Sequence, residues 1–229
     1  MNRLNHLICI HSAIPFCILL GLGFFFIPGW FPPISPGMSA AETGAMYEAN
    51  RLAIQFGMTL TVLGSGLWWV FSAAIAMQMR RIEGGDFPIL TCIQLTSSVG
   101  NVIVIMLAGY FCLTAAYRPD MPASTVQSFT DIAWLMNIGA YPSTFIGTLA
   151  LGLCILTGER GDVYPRWLGY LNIWYAVVSL AGGLLAFYHG GPFSWNGEIG
   201  FWLEANCFFG WIILMWWFSV RAIKTWEVA

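Results

Sequence analysis

Apolar and polar positions separate in this chain on the scale of whole helices, because long apolar stretches alternate with short polar loops. Six apolar stretches have the approximate bounds 7–29, 52–79, 88–117, 129–157, 166–188 and 199–222. Each is close to or above the roughly 20 residues that a helix needs to cross a bilayer. The pattern predicts an all-α, polytopic membrane protein whose six transmembrane helices form one bundle, a single domain over residues 1–229.

Two local features refine this pattern. The first loop is rich in proline, and after it residues 40–50 are predicted to form a short helix that leads into the second span. Pro15 and Pro142 fall within the first and fourth apolar stretches. A proline is tolerated there if neighbours satisfy the freed backbone groups, and it commonly kinks a membrane helix.

Basic residues are unevenly divided between the two sides of the predicted bundle. Only Arg51 and Arg118 fall on one side. The other side holds seven of the nine basic residues, namely Arg3, Arg80, Arg81, Arg160, Arg166, Arg221 and Lys224. The positive-inside rule then predicts that both termini are cytoplasmic and that loops 30–51, 118–128 and 189–198 face outward.

Composition limits the partners and the kinds of site that can be expected. The chain is 58% hydrophobic and 9% charged, with a net charge of -2, whereas soluble domains are roughly 25% charged. The lipid bilayer is the expected partner, and nucleic acid is not expected because there is no basic run. All six cysteines lie in apolar stretches without a CxxC motif, so neither a disulfide framework nor a zinc site is predicted.

Polar residues inside the predicted spans are the main pointers to a site, because an ionisable residue in a membrane helix costs roughly 2.5–3.5 kcal/mol. Several of them fall at a similar depth, in the outer third of four different helices. The candidate ligand-binding residues are Glu48, Arg51, Gln55, Asp131, Asn137, His189 and Asn206, with Glu204 as the candidate catalytic residue. The first three follow one another at helical spacing and share one helix face.

The same residues allow three interpretations. In the first interpretation they are structural contacts, with Arg51 neutralising Glu204 or Asp131 in an ion pair. They also fit a polar pocket that receives a small hydrophobic or lipid-like molecule from the outer leaflet or periplasm. In a third interpretation Glu204 is the general acid of an enzyme acting on a lipid or isoprenoid, with the aromatic residues around it stabilising a cation.

A second polar stripe runs along the third span, with Gln94, Ser97, Ser98 and Asn101 at helical spacing. Interhelical hydrogen bonds of about 0.6 kcal/mol each are the simpler explanation for such a stripe. Between the two groups the sequence shows apolar residues such as Val62 and Ile105, which argues against a continuous ion or proton pathway.

No cofactor can be assigned from the sequence, and no metal site is predicted. Only three histidines occur, at positions 6, 11 and 189, and none has a ligand partner at helical spacing. The single lysine, Lys224, lies outside the predicted spans, which excludes a retinal Schiff base. No nucleophile elbow or phosphate-binding loop is present.

Three short segments are similar to segments of a known family: Ala116-Tyr117-Arg118-Pro119, Pro165-Arg166-Trp167-Leu168-Gly169-Tyr170 and Gly191-Pro192-Phe193-Ser194-Trp195-Asn196-Gly197. On these segments the chain resembles an uncharacterised family of six-helix bacterial integral membrane proteins of similar length. The resemblance implies a multi-pass protein of the bacterial inner membrane and carries no activity or substrate. The sequence therefore leaves open a binder of a hydrophobic molecule, an integral-membrane enzyme, and an accessory subunit of an oligomer or larger membrane complex.

Overall fold

The computed structural model describes residues 3–158 and 161–225, and all regular secondary structure in these residues is helical. Six helical spans are long and apolar enough to cross a membrane. They are span 1 (Arg3–Phe26), span 2 (Ala40–Glu83), span 3 (Ile89–Tyr117), span 4 (Ala123–Thr157), span 5 (Arg166–Phe187) and span 6 (Glu198–Lys224). The predicted all-α architecture with six spans is confirmed. Arg160, one of the seven basic residues predicted on the cytoplasmic side, lies outside the described residues.

Span 2 is the longest element, and it is bent near its beginning. Ser39 and Glu42 form a capping box, in which the Ser39 hydroxyl accepts from the Glu42 N–H and the Glu42 carboxylate accepts from the Ser39 N–H. Asn50 interrupts the helix with φ −116° and ψ 17°. The residues before Asn50 therefore form a short helix leading into the membrane segment, as the sequence predicts.

Four other spans depart from α-helical geometry in the same part of the bundle. Span 1 ends in a π-helical turn and span 6 begins with one, at Gly21–Phe26 and Glu198–Leu203. Span 5 continues as a 3₁₀-helix over Leu180–Phe187. Span 4 is broken into two helices, Ala123–Ile138 and Tyr141–Thr157.

Pro142 explains the break in span 4. Its ring nitrogen has no hydrogen to donate, and its ring clashes with the carbonyl four residues earlier, which belongs to Ile138. Ile138 is the last residue of the first half-helix. Gly139 and Ala140 then leave helical geometry with ψ 21° and 22°. Span 5 approaches this break closely, because a Cβ atom added to Gly182 would lie 3.4 Å from the Ile138 carbonyl oxygen.

The spans form one packed assembly. Span 2 contacts spans 1, 3, 4 and 6, and span 4 packs between spans 3 and 5. The guanidinium of Arg3 donates to the Lys224 carbonyl at 2.5 Å, so the start of span 1 and the end of span 6 meet. We call this the terminal end of the bundle. The loop end is the opposite one, which carries the loops at residues 27–39, 118–122 and 188–197.

Candidate functional site

A cavity of about 70 Å³ lies where the irregular parts of spans 1, 4 and 6 meet. We call it the Glu204 cavity. Phe25 and Phe201 line it from the two π-helical turns, and Asn137, Ile138 and Ala140 line it from the break in span 4. Non-helical backbone at membrane depth is tolerated only where protein buries it or where it lines a cavity. The irregular parts of three spans therefore line one cavity.

Glu204 is the only ionisable side chain among the described residues that line this cavity. The Tyr175 hydroxyl donates to its Oε1 atom at 3.0 Å. Its Oε2 atom is buried, and no described residue hydrogen-bonds to it. A carboxylate can accept about four hydrogen bonds, so Glu204 retains unused acceptor capacity in a low-dielectric environment.

A second cavity of about 30 Å³ adjoins the first, and all four residues of the polar stripe of span 3 line it. We call it the Gln94 cavity. Gln94 is 6% exposed, and its amide nitrogen donates to the Ser72 hydroxyl at 2.8 Å. Its Oε1 atom is buried and has no hydrogen-bond partner among the described residues. Each cavity therefore presents one buried oxygen that lacks a donor, and the Gln94 cavity also presents the unpaired indole N–H of Trp68.

The two cavities share the side chains of Asn101, Thr144 and Phe208. The Thr144 hydroxyl donates to the Asn101 carboxamide oxygen at 3.3 Å. Asn101 and Thr144 thus add polar groups to the wall that the two cavities share. Ile105, which belongs to the predicted apolar gap, lines the Glu204 cavity beside them.

An aromatic cluster lies beside the Glu204 cavity at the loop end of the bundle. Trp134 stacks on Trp195 with ring centroids 6.2 Å apart, and it contacts Phe25 at 6.1 Å. Phe25 in turn contacts Phe201 at 5.6 Å. The Trp195 indole donates to the Ile34 carbonyl at 3.0 Å and ties the third loop of the loop end to the first. Phe25 and Phe201, which line the cavity, therefore belong to a larger aromatic cluster at the loop end.

Arg51 and Gln55 have a different environment from Glu204. Both donate to the Ala116 carbonyl, at 2.9 and 3.0 Å, and Arg51 also reaches the Pro119 carbonyl at 3.5 Å. Ala116 lies in the last turn of span 3, where a helix leaves acceptors without intrahelical partners, and Pro119 lies two residues beyond the helix. A cation there also complements the helix dipole. The two side chains cap span 3, and the bonds of Arg51 go to backbone oxygens.

The remaining predicted residues fall into separate places. Asn137 lines the Glu204 cavity. Asp131 is half-buried, and His189 is close enough to act on it electrostatically. Glu48 is exposed, and the exposed Asn206 donates to the Trp202 carbonyl at 2.6 Å. The structure thus joins Glu204 with Asn137 and distributes the other candidates over the loop end of the bundle.

Sequence reasoning missed two residues that shape the site, Tyr175 and Thr144, and placed Trp211 among the aromatic residues around Glu204. Tyr175 and Thr144 were not distinguishable from ordinary residues of apolar spans. Trp211 lines the Gln94 cavity, and its indole donates to the fully buried Asn172 carboxamide at 2.7 Å. A usable signal existed only for Asn172, which is a polar residue within an apolar stretch.

The arrangement can accept hydrogen bonds and positive charge, and it offers few groups for other chemistry. In residues 3–158 and 161–225, no three His, Cys, Asp or Glu side chains lie close enough together to hold a metal ion. No protein-family model, no curated protein and no solved structure matches the chain. The family resemblance therefore stays a prediction, and function must be inferred from the site itself.

Proposed function

We propose that this protein binds a small, mainly apolar molecule through one polar group, with that group held by Glu204 in the Glu204 cavity. The observation that carries the proposal is the buried Oε2 atom of Glu204, which has no donor among the described residues yet borders an internal space. Removing a charged group from water without pairing it is costly. A ligand that supplies the missing donor would offset this cost.

The lining of the cavity supports an apolar ligand body. Most of the surface belongs to aliphatic and aromatic side chains, among them Leu20, Ile105 and Phe209, while Glu204 and Asn137 provide polar contacts. Small-molecule sites typically combine an apolar wall with a few oriented polar groups. The volume of about 70 Å³ is roughly half that of the engineered cavity that binds benzene, so it suits the polar end of a ligand and its first few carbon atoms.

We also propose that the chain lies in a bacterial inner membrane with both termini in the cytoplasm, on the basis of its loop charges. Glu204 lies six residues after the first residue of span 6 at the loop end, or about 9 Å along a helix. In this orientation the Glu204 cavity occupies the outer half of the membrane, and a ligand would come from the outer leaflet or the periplasm.

Native mass spectrometry of the protein, extracted gently from its host membrane, tests the proposal. We expect a discrete additional mass on the wild-type chain and its loss in Ala205→Leu, because Ala205 lines the cavity and the larger side chain would fill it. The matched control is Asn206→Leu, one residue further along at an exposed position. A bare wild-type chain, or an adduct that survives in Ala205→Leu, would contradict the proposal. A heteromeric assembly with no adduct would favour an accessory subunit instead.

A further inference from the structure

The charge balance of the Glu204 cavity carries a more specific inference, which rests on the proposed function. No Lys, Arg or His is found among the described residues that line either cavity. The described partner of Glu204 is the hydroxyl of Tyr175, which is neutral. Arg51, which the sequence offers as an ion-pair partner for Glu204, donates instead to carbonyls at the end of span 3. The carboxylate thus has no counter-ion among the described residues that line the two cavities.

The unpaired buried atom at the Glu204 cavity is a hydrogen-bond acceptor. Glu204 Oε2 has no donor among the described residues. The adjoining Gln94 cavity is lined by one unpaired acceptor, Gln94 Oε1, and by one unpaired donor, the indole N–H of Trp68. A bound group that only donates satisfies an acceptor such as Glu204 Oε2, whereas a carboxylate or phosphate adds further acceptors. An ammonium has three donors and no acceptor. The free acceptor of Glu204 therefore favours a protonated amine over an anionic headgroup.

The aromatic lining favours the same charge. Phe25, Phe201, Phe208 and Phe209 all line the Glu204 cavity. The face of an aromatic ring carries partial negative charge and attracts cations within about 6 Å of its centre. An anion would meet the Glu204 carboxylate, which would repel it, and any ring face turned toward the cavity would add to that repulsion. The carboxylate, with its free acceptor, and the aromatic lining therefore both favour a cationic polar group.

We propose that the ligand of the Glu204 cavity is a protonated amine on a small apolar body, with its ammonium paired to Glu204 and its carbon chain against the phenylalanine rings. The chemistry defines the class as alkyl- or arylamines and excludes fatty acids and phosphorylated lipids. A neutral alcohol of the same length is the closest competitor, because it can donate one hydrogen bond to Glu204 without bringing a charge.

The test compares three six-carbon probes on the purified full-length protein: hexylamine, hexanol and hexanoate. Like a lysine side chain, hexylamine is protonated at neutral pH. Binding is measured as the change in tryptophan fluorescence of the wild type minus that of Ala205→Leu, which removes the effect of partitioning into detergent. We expect hexylamine to bind at least about tenfold more tightly than hexanol, a difference of about 1.4 kcal/mol, and hexanoate not to bind.

Substitution of the carboxylate separates charge from hydrogen bonding. In Glu204→Gln we expect hexylamine affinity to fall to that of hexanol while hexanol affinity changes less than about twofold. Glu198→Gln, at an exposed glutamate of the same span, should leave all three affinities unchanged. If Glu204→Gln does not fold, the wild-type comparison of the three probes still decides the question.

The outcomes distinguish the two proposals. Equal binding of hexanol and hexylamine, both lost in Ala205→Leu, would overturn the amine inference and leave the binding function standing. Preferential binding of hexanoate would also overturn the amine inference. Failure of all three probes to bind would overturn both this inference and, together with an empty native mass spectrum, the proposed function.

Discussion

Tyr175→Phe is the most informative single substitution, because it removes one oxygen atom from the contact that holds Glu204. Tyr175 is 1% exposed, and its hydroxyl is the described donor to the Glu204 carboxyl group, at 3.0 Å. Phenylalanine keeps the ring that packs against Trp211, with centroids 6.3 Å apart. The change therefore tests the hydrogen bond and leaves the packing of the ring in place.

The size of the effect depends on the charge of Glu204. A neutral hydrogen bond between membrane helices is worth on average about 0.6 kcal/mol and at most about 1.7 kcal/mol. A hydrogen bond to a charged group is worth about 1.5–3 kcal/mol. Since Tyr175 is the described partner of a buried carboxylate, we expect Tyr175→Phe to lower the free energy of unfolding by about 2 kcal/mol. A loss near 0.6 kcal/mol would indicate a protonated, neutral Glu204.

The assay is equilibrium unfolding in mixed micelles with an increasing fraction of denaturing detergent. Tyr170→Phe is the matched control, because Tyr170 lies in the same span and is 59% exposed. We expect the control to stay within about 0.5 kcal/mol of the wild type. A double-mutant cycle with Glu204→Gln assigns the coupling to the pair. If Tyr175→Phe is as harmless as Tyr170→Phe, the argument that this hydrogen bond holds Glu204 is refuted.

Three other substitutions test the surrounding structure in the same unfolding assay. Arg51→Gln should lower the free energy of unfolding by about 1 kcal/mol through the lost helix-end contacts and should leave hexylamine binding unchanged. The exposed Glu48→Gln is the control, and weaker hexylamine binding in Arg51→Gln would contradict a purely capping role. Gly152→Ala should destabilise by about 1–3 kcal/mol, because its Cβ would lie 2.8 Å from a backbone oxygen of span 5. Gly210→Ala, whose added Cβ would have no neighbouring atom within 4 Å, should be neutral or stabilising. Equal effects of the two substitutions would refute the close approach of spans 4 and 5 at Gly152. Trp195→Phe should lower the free energy of unfolding by about 1 kcal/mol, because it removes the hydrogen bond to the Ile34 carbonyl. An unchanged stability would show that the aromatic cluster does not depend on this hydrogen bond.

Much of the fold follows from local properties of the sequence. Apolar length alone indicates a membrane helix, which is why all six spans could be predicted. Pro142 marks the bend in span 4 because its effect on the carbonyl of Ile138 is a matter of covalent geometry. The π-helical turns of spans 1 and 6 and the 3₁₀ end of span 5 left no comparable signal, since such turns depend on the neighbours that satisfy them.

The sequence by itself determined that this chain forms apolar helices and that Glu204 is a costly residue inside one of them. Both conclusions need only the free energy of transferring a side chain or a peptide group into lipid. Tertiary structure alone decided that Tyr175 bonds to Glu204, that Thr144 and Asn101 join the two cavities, and that Arg51 contacts span 3 in place of an acidic residue. These pairings join residues that lie 29 to 65 positions apart, and helical periodicity fixes the face on which a residue lies but not the helix that this face meets.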